Sequence, residues 1–268
     1  MKSKKMLTVV LSLLVGALLV QTGAAIIFAD ETDPAPREIS AEALEAIREA
    51  DPGRYEERVQ DFRNLLVDLD VHSKFQSEIE RLVIEGYPVQ HVLIAYAFLY
   101  DRYGAASELE QLVARKAEGA AWRTIFADYD SSHEPFAPRS FDSSTLERLL
   151  STPGIQADDI MIADRVSHAT GKPIDALFAA MAEQPIDWKE TNADLGILNS
   201  ASTLPRVQVT AEQMAKFTDT YGLTEAEAME AFVLAHKTGR PVDAIAAWFG
   251  EGLTEHVMLE RIYEEVYA

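Results

Sequence analysis

The chain has 268 residues, with 44 Asp and Glu against 24 Lys and Arg, no cysteine, and 48% hydrophobic residues. That apolar share suits a packed globular core in a chain of roughly two domains' length, and it excludes wholesale disorder. A formal charge of −20 opposes nucleic-acid binding, and the lack of cysteine excludes a disulfide scaffold, cysteine-ligated metals and a catalytic thiol.

The chain begins with a basic start, Lys2, Lys4 and Lys5, followed by an apolar run from Met6 to Val20. Gln21-Thr22-Gly23 breaks that run, and small and apolar residues continue to Ala29, ahead of Asp30. This pattern predicts a secretory signal peptide over 1–29, with an uncleaved membrane anchor as the alternative. In either case the remainder is expected to be exported. Without the three leader lysines, 21 basic residues face 44 acidic ones, so the acidity belongs to residues 30–268, at a net −23.

Pro34 and Pro36 mark a tether, and apolar spacings of three and four predict two helices, over 40–49 and 52–68, within a segment 30–72. From residue 73 the chain repeats itself. His168-Ala169-Thr170-Gly171-Lys172-Pro173-Ile174-Asp175-Ala176 matches His236-Lys237-Thr238-Gly239-Arg240-Pro241-Val242-Asp243-Ala244 at an offset of 68 residues. A diverged earlier copy places Tyr103-Gly104 against Thr170-Gly171, and Trp122 against Trp188, at offsets of 67 and 66. The expectation is an all-α fold of three tandem units with a period near 67, over 73–142, 143–207 and 208–268.

Each unit reads as three helices and a short tail: 74–85, 89–102 and 106–118; then 144–151, 157–169 and 173–183; then 211–221, 225–237 and 241–250. Capping-box spacings at Ser73, Ser144, Thr210 and Thr224 support the helix starts. At the joints, Gly171 and Gly239 are placed as left-handed terminators, with Pro173 and Pro241 at the first position of the next helix. Stacked units of this kind would expose one continuous surface.

Thr170, Gly171, Lys172, Trp188, Leu195 and Gly196 resemble a pattern in uncharacterised exported bacterial helical-repeat proteins. There a Thr-Gly-Lys turn opens a helix, and a Trp begins a later short helix ending in Leu-Gly. The third unit keeps the turn but has His256-Val257 in place of the Trp. The resemblance implies helical structure and export, and it carries over no site residues.

His168 and His236 sit near helix ends, where a cation meets the negative end of the helix dipole. Trp122 and Trp188 read as aromatics closing the core at helical joints, with an exposed binding role as the alternative. Tyr96, Phe98, Tyr100 and Tyr103 crowd one helix with aromatics, so part of the set must face another unit or a partner. Asp128, Asp130, Ser132 and Glu134 alternate as a calcium loop begins, but His133 replaces the required Gly and Arg139 the required Glu. No nucleophile elbow, zinc-protease helix, phosphate loop or dinucleotide fingerprint is present, so no catalytic residue, cofactor or metal is assigned. The expected function is protein–protein interaction in the cell envelope or secretome, with a basic protein or cationic envelope component as partner. The alternatives are an enzyme or a ligand- or metal-binding protein using acids and His near the joints, and a structural spacer.

Overall fold

A computed structural model describes residues 38–181 and 185–267, so the predicted leader and most of the tether lie outside the described residues. Among the described residues the fold is all-α, with fourteen helices and no strand. In chain order they are α1 (Ala41–Ala50), α2 (Tyr55–Asp68), α3 (Ser73–Ile84), α4 (Val89–Arg102), α5 (Leu109–Ala117), α6 (Trp122–Ser132) and α7 (Ser143–Leu150). There follow α8 (Ala157–Thr170), α9 (Ile174–Met181), α10 (Trp188–Leu195), α11 (Ala211–Tyr221), α12 (Glu225–Thr238), α13 (Val242–Gly250) and α14 (Glu255–Tyr267).

Two of the four expected capping boxes form, at Thr210 and Thr224, each with its side chain accepting the N–H three residues on. The other two starts use an earlier residue, one ahead of Ser73 and two ahead of Ser144. His72 Nδ1 accepts from the Lys74 N–H at 3.2 Å, and Asp142 Oδ1 accepts from the Thr145 N–H at 2.9 Å. A ring nitrogen and a carboxylate are stronger acceptors than the serine hydroxyls beside them, and each begins its helix one residue earlier. Pro241 likewise lies one position before the expected place, as the N-cap of α13, and α9 begins at Ile174, after Pro173. The proline carbonyls then accept the first helical N–H groups, from Ala176 and Ala244, at 3.0 Å.

α4 is apolar on every side, with an unbroken buried run from Val92 to Leu99, as expected of a helix surrounded by protein. It anchors the largest core, with α1–α3, α5 and α6 around it and residues of α11–α14 continuous with it. The packing departs from a serial stack. α14 lies on α6, α4 and α2, helices distant from it in sequence, while α7–α9 pack on a smaller core with Tyr103, Trp188 and Ile197. Residues 196–200 return to α4: the Gly196 carbonyl accepts from Ala106 N–H at 2.8 Å, and Leu198 N–H donates to the Gly104 carbonyl at 3.1 Å.

Candidate functional site

The two matching joints are built alike. Thr170 and Thr238 each donate their hydroxyl to the carbonyl four residues back, Val166 and Leu234, at 2.7 Å. Gly171 and Gly239 follow with φ of 70° and 66°, left-handed conformations that end α8 and α12 without a Cβ penalty. The histidines differ. His168 places Nε2 at 2.9 Å from the Glu134 carbonyl and meets the edge of Phe136, so it holds the preceding loop instead of capping its own helix. His236 is exposed on α12. No hydrogen bond or ring contact among the described residues brings the two joints together.

Trp122 is fully buried beside Phe126, which stacks on Phe98 with ring centres 4.1 Å apart. Its indole N–H has no partner, and neither does the neighbouring His91 Nδ1. Burial and the nearby Lys116 ammonium push the His91 pKa down. Trp188 is also buried, but its indole N–H donates to Asp159 Oδ1 at 2.8 Å. Both tryptophans therefore belong to cores, one to each.

Asp128, Asp130 and Ser132, alternating as if to begin a calcium loop, lie on α6, where residues two apart face different sides. Among the described residues no group of three or more His, Asp and Glu is placed to hold a metal ion. Asp130 instead receives both arms of Arg102, at 3.0 and 2.9 Å, with His256 Nε2 at 2.9 Å from the same carboxylate. Burial favours its neutral form, but these contacts outweigh burial and hold its pKa below the usual carboxylate value. Arg102 also reaches Glu255 at 3.0 Å, and the Tyr263 hydroxyl donates to Asp101 at 3.1 Å. This polar hub joins α4, α6 and α14. Its partners lie as far as 153 and 162 residues apart, so no local spacing announces it.

The constellation closest to catalytic chemistry sits at the end of α6. Ser132 Oγ lies 3.1 Å from His133 Nδ1, and His133 Nε2 lies 2.9 Å from Glu108 Oε1. The directions oppose a nucleophilic triad. The Ser132 hydroxyl donates to the Tyr129 carbonyl at 2.8 Å, and His133 Nδ1 faces that carbonyl at 2.8 Å, so the ring offers no lone pair toward the serine proton. The Tyr129 hydroxyl and the Ala105 N–H both donate to Glu108 Oε2, at 3.0 and 2.8 Å. These bonds tie α6 to the turn before α5. The adjoining depression holds about 70 Å³, well under the roughly 300–1,000 Å³ of small-molecule sites. A wider, open cleft of about 480 Å³ is lined by Asp70, Ile186, Lys189 and Ser200 among others. The Lys189 ammonium donates to Asp70 Oδ1 there at 2.6 Å.

No protein-family profile, curated protein or solved structure matches the chain. Its function is therefore read from its own residues.

Proposed function

We propose that the protein is an exported, acidic α-helical interaction protein, non-catalytic, whose partner is a basic protein or a cationic envelope component. One observation carries this reading. Fifteen of the twenty lysines and arginines among the described residues already pair with a carboxylate of the same chain. The surplus acids thus have few cations of their own left to meet, and the surface favours cationic partners. Export rests on the leader pattern over 1–29, and no helix among the described residues is long and apolar enough to cross a membrane. The repeat of 143–207 in 208–268 belongs to the same proposal, supported by the shared joint geometry at Gly171 and Gly239.

The test is to express the full chain with its leader, fractionate the cells, and crosslink it in place. Recovery outside the cytoplasm, linked to one basic partner whose capture fades as salt shortens the screening length from about 10 Å at 0.1 M to about 3 Å at 1 M, supports the reading. Retention in the cytoplasm, or capture that salt does not change, contradicts it.

A further inference from the structure

We infer that the outer face of α12 is the docking site for an extended segment of a partner protein, one that carries an aromatic side chain next to a basic one. The inference rests on the interaction reading above and gives that partner a place and a chemistry. Its template lies in the chain itself. On α8, residues 134–139 cross the outer face as a strap. His168 Nε2 lies 2.9 Å from the Glu134 carbonyl, and since a carbonyl only accepts, the ring donates there. Phe136 meets the His168 ring and takes the Arg165 guanidinium over its face at 4.6 Å, and Arg139 Nε donates to Asp164 Oδ1 at 2.6 Å.

The offset of 68 residues between α8 and α12 also relates their surroundings: Arg148 pairs with Asp175 at 3.0 Å, and Lys216 with Asp243 at 2.8 Å. In that register His236 stands for His168, Val233 for Arg165 and Met229 for Met161. At steps of four and three residues these side chains share one face of α12, but no strap crosses it. Met229 is 42% exposed, and His236 is exposed with neither a hydrogen-bond nor a ring partner among the described residues. The segment that would supply a strap is held elsewhere. Pro205-Arg206 follows Pro138-Arg139 by 67 residues, and there Arg206 and the Leu204 N–H both donate to Asp158 on α8, at 2.9 and 3.3 Å.

The chemistry of the occupant follows from what changes between the two faces. Met229 and Val233 offer adaptable apolar contact for a ring, and His236 offers a donor for a backbone carbonyl. Arg165 supplies the cation over the ring on α8, and Val233 cannot. Glu225 lies one turn before Met229 and Glu230 beside it, neither in an ion pair among the described residues. Burial and the nearby Glu255 push the Glu230 pKa up, as expected where negative charge lacks a cation. On α12 the cation therefore comes with the aromatic, from the partner.

The test titrates the full chain, labelled at its methionine methyl groups, with a synthetic peptide of residues 133–139 in which Glu134→Lys supplies the cation. The Met229 methyl signal is expected to shift to saturation with a Kd under about 1 mM, while Met161, whose face keeps its tethered strap, stays still. Phe136→Ala in the peptide, or the exposed His236→Ala in the protein, should each weaken binding at least about threefold. No saturable shift at Met229, or one that the Phe136→Ala peptide reproduces in full, overturns the proposal. Shifts confined to other methionines overturn the α12 site alone; the acidic-surface reading fails separately, by location and by capture that salt does not change.

Discussion

Tyr103 occupies the left-handed position that Gly171 and Gly239 take at the ends of α8 and α12, with φ of 56°. The sequence alignment had set Gly104 there, one residue too far along. Gly104 answers a different demand: a Cβ on it would lie 2.7 Å from Leu99 Cδ2 and 2.9 Å from the Tyr129 hydroxyl. Gly104→Ala should therefore cost about 1–3 kcal/mol by overpacking, measured as a lower denaturant midpoint at unchanged slope. Arg58 gives a second test at this scale. It is fully buried, with Asp51 at 3.4 Å, Asp61 at 3.6 Å and the Tyr267 carbonyl among its partners. Arg58→Ala should cost about 3–5 kcal/mol, since it strands carboxylates and releases the end of α14. His91 adds a pH dependence. Its folded pKa lies below the unfolded value near 6.5, so protonation favours the unfolded chain, and stability falls as pH drops below about 6.5. In His91→Phe that part of the acid loss should vanish from thermal melts taken between about pH 7 and pH 4.5.

Helix existence is the level at which the sequence speaks most plainly. Val59, Phe62 and Leu66 recur at three- and four-residue steps, and α2 buries all three. Cap identity was less legible because several residues at each start can accept the same N–H. His72 displaced Ser73, and Asp142 displaced Ser144, through acceptor strength that the serine pattern does not encode. The Trp188–Asp159 bond was invisible as well, since 29 residues separate its ends. Asp159 serves two helices, because it also accepts the Gln156 N–H at 2.7 Å. Asp159→Ala leaves a buried indole N–H unpaired and should cost about 1–3 kcal/mol. The damage should remain local. Amide exchange should quicken across α8 and α10 while α4 keeps its protection.

At the scale of the whole molecule, the order in which parts pack was not readable. Similarity between the 168–176 and 236–244 segments suggests neighbours that stack in turn, but the choice of neighbour depends on long-range complementarity. The apolar face of α14 fits the aromatic row of α6, where Phe126 meets the edge of Tyr263 with ring centres 6.0 Å apart. The hub at Arg102 and Asp101 then fixes that choice with charge-assisted bonds. The middle helices gather on a smaller core around Ile162, Leu177 and Trp188, with Tyr103 from the end of α4 among them. Candidate chemistry shows the same limit: Ser132, His133 and Glu108 meet through folding, and the directions of their hydrogen bonds assign them to closing α6.

Native-state hydrogen exchange read by peptide mass tests this account most directly, because it ranks the helices by the free energy needed to open each one. α4, α6 and α14 should form one slowest-exchanging set, opening only with the whole molecule, while α7–α10 exchange earlier as a separate group. Exchange of α14 ahead of α4, or together with α7–α10, would contradict a core that α14 completes.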